Sequence, residues 1–136
     1  MMYADAGVFV ISLVSDEGAR YVSDCTRFLA KVVRGERSVA TSTLTWDEVV
    51  YAVRRLLGPE DSTGKADELL LLPNVRWIPT DVAVLRRAAG LYRSLPIRPR
   101  DAIHAACAIE AGEGEIVSED RVFDRVPGLS RTWPPP

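Results

Sequence analysis

A chain of 136 residues, 47% hydrophobic and 26% charged, has the size and composition of one folded domain with a real core. Its formal charge of −2 excludes nucleic-acid binding driven by bulk positive charge, leaving room only for local arginines helped by cations. Apolar runs fall short of a membrane span, no signal peptide is visible before Asp5, and Cys25 and Cys107 lack any CxxC or Cys/His neighbourhood, so a cytoplasmic protein with buried free thiols is expected.

Met2–Ala4 reads as a short buried strand, Asp5-Ala6-Gly7 as a turn, and Val8–Leu13 as a helical turn. Glu17–Arg34 carries Val22, Cys25, Phe28, Leu29, Val32 and Val33 near helical spacing, with Gly35 as C-cap. Ser38–Thr41 is the second strand, and Thr45–Leu57 a helix stopped by Gly58-Pro59. Ser62 caps a helix through Leu72, broken by Pro73-Asn74, before a third strand at Val75–Ile78. Thr80 caps a helix to about Leu95, and Pro96-Ile97-Arg98-Pro99 leads stiffly into another over Arg100–Ala111. Gly112 and Gly114 bracket the turn into a fourth strand, Glu115–Ser118. A short helix at Asp120–Phe123 and a strand near Leu129–Trp133 finish the chain. Short strands alternating with helices predict an α/β fold with a mainly parallel sheet.

In such folds ligands bind beyond the carboxyl ends of the strands. Asp5 directly follows strand one and Asp120 follows strand four, so both belong at that rim. Asp101 and Glu48 lie in first turns of helices, whose N-termini point to the same rim. Four converging carboxylates repel unless cations relieve them, and hard Mg²⁺ or Mn²⁺ suits oxygen donors. Such ions activate water against a phosphodiester, which makes phosphodiester hydrolysis the leading chemistry.

Each acid also has an ordinary reading. Glu48 follows Thr45 at capping-box spacing, Asp101 complements a helix dipole, and Asp120 can cap a short helix. Asp5 is the exception, since a carboxylate beside an apolar strand is costly without a partner. His104, one turn from Asp101, is expected to be a locally hydrogen-bonded structural residue. The chain has no GxSxG elbow, GxGxxG fingerprint or P-loop, which removes serine-hydrolase, dinucleotide and P-loop readings.

Tyr3-Ala4-Asp5-Ala6-Gly7-Val8-Phe9 resembles the opening of PIN-domain ribonucleases, and Thr45-Trp46-Asp47-Glu48-Val49-Val50-Tyr51-Ala52 their second motif. Arg100-Asp101-Ala102-Ile103-His104-Ala105-Ala106 is similar to the third, and Ile116-Val117-Ser118-Glu119-Asp120-Arg121-Val122-Phe123-Asp124 to the fourth. The motifs stand in family order across nearly the whole chain. The resemblance implies one α/β/α sandwich domain over residues 1–136 and Mg²⁺- or Mn²⁺-dependent cleavage of RNA. It implies that Asp5, Glu48, Asp101 and Asp120 bind metal and orient the attacking water, with Asp124 as an accessory acid and Ser118 hydrogen-bonded to a carboxylate. At this size the chain is similar to VapC toxins, which implies a homodimer and a VapB-type antitoxin whose C-terminal segment covers the groove. Ala6-Gly7 departs from the hydroxyl and Asn or Ser usual after the first Asp, and Glu119 replaces a neutral residue. The altered first motif keeps a second reading open, a non-catalytic PIN-like module that binds RNA or protein. A phosphoacceptor domain is disfavoured, because Gly7 stands where a phosphatase needs its second Asp and no lysine lies near a late strand.

Overall fold

The computed structural model describes residues 1–136. The strands are β1 (Met2–Ala4), β2 (Val39–Ser42), β3 (Val75–Ile78), β4 (Glu115–Val117) and β5 (Ser130–Thr132). The helices are α1 (Ala6–Val14), α2 (Val22–Val33), α3 (Thr43–Leu57), α4 (Pro59–Leu70), α5 (Val82–Ser94) and α6 (Pro99–Glu110), with a 3₁₀ helix at Arg121–Arg125. All strand pairs are parallel, in the order β3-β2-β1-β4-β5.

Period-two alternation divides the strand side chains between two cores. Met2, Ala4, Val39 and Val117 join Phe9, Phe28, Val49 and Leu69 from α1–α4. Tyr3, Ala40, Ile78 and Ile116 face the other way, onto Val84, Ala88, Ala105 and Ala106 from α5 and α6. The result is the three-layer α/β/α sandwich expected from the sequence. Both cysteines are fully buried, Cys25 in the first core and Cys107 in the second.

The chain runs from β1 outward to β2 and β3, then returns across β1 to place β4 on its other side. The direction of winding therefore switches between β1 and β4. Crevices open at such points, beyond the carboxyl ends of the strands.

Several element starts differ from the sequence expectation. Asp5 is the N-cap of α1, accepting from the Ala6 amide at 2.8 Å, so the expected turn is the start of a helix. The second helix begins at Val22 and not Glu17, because Tyr21 is in left-handed conformation (φ 68°) and no apolar period precedes it. Ser42, accepting from the Leu44 amide at 3.0 Å, caps α3 in place of Thr45. Thr45 is buried instead, with its hydroxyl 2.7 Å from that of Thr41. Pro59 opens α4 directly after Gly58, which leaves Ser62 inside the helix donating to the Pro59 carbonyl. Asp81, not Thr80, caps α5, accepting from the Val84 amide at 2.9 Å. No helix is long and apolar enough to cross a membrane.

Candidate active site

At the switch between β1 and β4 a cleft of about 520 Å³ is lined by Asp5, Glu48, Asp101 and Asp120, together with Arg98, Arg100 and His104. All four carboxylates expected from the sequence thus reach one hollow. Asp124 does not line it. Its carboxylate is held by Arg131 at 3.0 and 3.3 Å, and the same guanidinium reaches the Ser118 carbonyl at 3.1 Å. A larger hollow of about 680 Å³ on α5 and α6 has one acid, Glu110, already paired with Arg87 at 2.6 Å. It holds no converging set of polar groups.

Asp5 is positioned at both oxygens. One accepts from the Ala6 amide, and the other from the Ser118 hydroxyl at 2.8 Å. The Ser118 hydroxyl in turn accepts from the Asp120 amide at 3.1 Å, so this buried serine ties the ends of β1 and β4 together. Asp120 caps the 3₁₀ helix through the Val122 amide at 2.9 Å, with one oxygen left toward the cleft. The small hydroxyl expected at position 118 therefore does bond to a carboxylate.

Asp101 stands at the third position of α6, where one of its oxygens accepts from the Arg98 amide at 3.3 Å. Its helix-end role is real and coexists with its place in the cleft. The Arg98 guanidinium spans the outer pair of acids, 3.2 Å from Asp101 and 3.4 Å from Asp120. This arginine is the local cation that offsets two carboxylates at the mouth.

Glu48 is in the second turn of α3, because that helix starts earlier than its sequence suggested. It cannot close a capping box with Thr45, and its carboxylate meets His104 Nε2 instead. That nitrogen is also 3.5 Å from Asp5, and ligand atoms of Asp5, Glu48 and His104 all lie within 4.8 Å of one another. On its other side His104 Nδ1 is 2.7 Å from the Tyr3 hydroxyl. The ring is almost wholly buried. Burial pulls its pKa down, but the bond to Glu48 and the charges of Asp5, Glu48 and Asp101 outweigh this, and the net shift is upward. Burial also pushes the Tyr3 phenol well up, with Cys107 and Asp5 adding to it, so Tyr3 remains a hydroxyl.

These contacts were the part sequence reasoning missed. His104 was expected to be a locally hydrogen-bonded structural residue, yet its partners are 101 and 56 residues away. The available signal was parity: Tyr3 points to the α6 side of the sheet, between the apolar neighbours Met2 and Ala4, and needs a polar partner there.

A family model described as the PIN domain matches residues 2–129. The chain belongs to the PIN domain family. No curated protein matches the sequence significantly. Among solved structures, a chain of VapBC2 from Rickettsia felis, bound to a DNA fragment from its promoter, is similar with TM-score 0.71 and 18% identity, over 97% of this chain and 98% of that one. VapC20 of Mycobacterium tuberculosis, described as a sarcin–ricin loop cleaving toxin, gives TM-score 0.71 at 16% identity, over 91% and 93%. DNA-bound VapBC from Salmonella typhimurium gives 0.66 at 22%, over 97% and 98%. These likenesses extend end to end and are likenesses of fold.

Proposed function

We propose that this PIN-domain protein is a metal-dependent endoribonuclease, the toxin of a toxin–antitoxin pair. The observation that carries this reading is the convergence of Asp5, Glu48, Asp101 and Asp120 on one cleft at the sheet's switch point.

The donor set fits a hard divalent cation, Mg²⁺ or Mn²⁺. All four groups are carboxylates, and only Arg98 and the His104 ring pair with them. Asp5, Glu48, Asp101 and Asp120 would hold it. When bound, such an ion lowers the pKa of a coordinated water and offsets charge on the phosphate. The chain's own groups then do the positioning. Ser118 and the Ala6 amide fix the Asp5 carboxylate, while Asp120 is fixed from the 3₁₀ helix. Free carboxylate oxygens can accept hydrogen bonds from an attacking water and orient it. Arg98 and Arg100 line the cleft and suit RNA phosphates, whereas Arg121 and Arg125 are exposed beyond it.

An antitoxin partner belongs to the same reading, since the similar structures include toxin–antitoxin complexes, and the resemblance of the motifs to VapC toxins adds a homodimer to it. A hollow of about 290 Å³ between α1, α2 and α4, lined by Phe9, Leu13, Leu29, Val33, Leu69 and Leu72, offers an apolar surface to a partner. The second reading, a binding module without catalysis, rests on Ala6 and Gly7. They border a further hollow beside Glu48, where the polar groups of the usual first motif are missing.

The deciding assay incubates purified, partner-free protein with RNA and Mg²⁺ or Mn²⁺, beside Asp5→Asn and Asp101→Asn. Cleavage by the wild type, reduced at least a hundredfold in either variant, is the expected outcome. Equal cleavage by all three sinks the site, and RNA binding without cleavage or metal binding favours the module.

A further inference from the structure

We propose that His104 is a positioning residue for Glu48: its Nε2–H holds the Glu48 carboxylate at the cleft, and Tyr3 holds the ring. The inference rests on the metal-site reading and assigns a task to a residue that reading leaves unused.

Glu48 has the hardest placement of the four acids. Asp5, Asp101 and Asp120 are short side chains, each tied to a backbone amide at a helix end. Glu48 has no such tie and reaches the cleft from the second turn of α3 on a longer, more rotatable stem. Fixing a glutamate costs rotamer entropy, so an acid left loose is a poor ligand. The His104 ring removes that freedom. It is buried between the sheet and the cleft, edge-on to Tyr3, with ring centroids 6.0 Å apart.

Hydrogen-bond donors decide the direction of the chain. Tyr3 is a hydroxyl and can donate to Nδ1 at 2.7 Å, which favours the tautomer with its proton on Nε2. That proton points at Glu48. The imidazolium also carries an Nε2–H, so the bond to Glu48 survives either protonation state. An Nε2–H cannot ligate metal. Although His104 stands within 4.8 Å of Asp5 and Glu48 as a third donor would, it is the orienter of a ligand and not a ligand.

Two measurements on the free protein test this. The first follows Mn²⁺ binding by electron paramagnetic resonance, without RNA. His104→Leu should weaken binding about 10- to 100-fold, the usual effect of losing a partner behind a ligand. His104→Gln, whose amide keeps a donor near Nε2, should recover most of it, and Tyr3→Phe should lose a smaller part. In a Glu48→Gln background, His104→Leu should add little, because its route to the metal is gone. Additive losses, or a Gln variant as weak as Leu, overturn the proposal.

The second measurement uses the fact that the chain has one histidine. In ¹⁵N-labelled protein its ring should show a slowly exchanging, downfield Nε2–H that persists with Mg²⁺ and moves in Glu48→Gln. Loss of that proton on adding Mg²⁺ makes His104 a ligand and overturns the proposal, as does indifference to Glu48→Gln. This readout needs no folded His104 variant. If the wild type binds no Mn²⁺ the metal reading fails by itself, and the ring proton still decides the His104–Glu48 bond.

Discussion

Ser118 carries more of the site than its size suggests. Its hydroxyl is the only side-chain group joining Asp5 to the Asp120 backbone, and it is buried. Ser118→Ala leaves the Asp5 oxygen and the Asp120 amide short of a partner, which costs about 1–3 kcal/mol where water cannot substitute. Urea unfolding should report a loss in that range, toward its lower end because Asp5 is only partly buried, and RNA cleavage should fall about tenfold or more. At this scale the sequence was legible wherever a residue's role is set by its neighbours in the chain. Asp5, Asp101 and Asp120 each sit where a strand ends or a helix begins, and short-range pattern finds such places. The same pattern misread Glu48, since Thr45 and Glu48 have capping-box spacing while Thr45 is spent on Thr41. For His104 the parity of Tyr3 signalled only the need for a polar partner, because the order of the strands, not local spacing, brings Tyr3 and Glu48 to the ring.

Helix ends were read best where glycine or proline marks them. Gly58 has φ 94°, which lets α3 end and α4 begin with no residue between them other than itself. Gly58→Ala puts a Cβ into that left-handed backbone and should destabilise by about 1 kcal/mol or more. Gly90 is the opposite case. It lies within α5 with nothing within 4 Å of an added Cβ, so Gly90→Ala should stabilise by about 0.5–1 kcal/mol. Paired denaturant titrations of the two variants check both signs. Element starts were read less well, since several hydroxyl and acid residues compete for each cap. Thr80 and Asp81 are adjacent, and Asp81 wins because its oxygen reaches the Val84 amide, while the Thr80 hydroxyl is 2.9 Å from that of Ser42.

For the whole molecule, the alternation of strands and helices announced an α/β fold, but nothing local encodes that β4 pairs with β1 and not with β3. That pairing brings residues 113 positions apart, Asp5 and Ser118, into one hydrogen bond. A cation bound across the resulting cleft favours the folded chain alone. At about a hundred times its Kd it should add ~2.7 kcal/mol of stability, read as a rise in Tm with Mg²⁺ or Mn²⁺ that EDTA reverses. Asp120→Asn should shrink that rise without abolishing the fold. An unchanged Tm across a wide cation range would count against the proposed function.

The sheet also parts the two thiols, Cys25 among α1–α4 and Cys107 against α5–α6. Burial, with Asp24 and Glu119 adding to it, pushes the Cys25 thiol up to about 11, and burial raises Cys107 as well, so neither offers thiolate to a reagent at neutral pH. Each half of the sandwich thus contains its own silent label. Alkylation followed by mass spectrometry of the intact chain should yield unlabelled and doubly labelled molecules when the halves come apart together. A singly labelled population would mean that one layer breathes while the other stays shut, and digestion would say which.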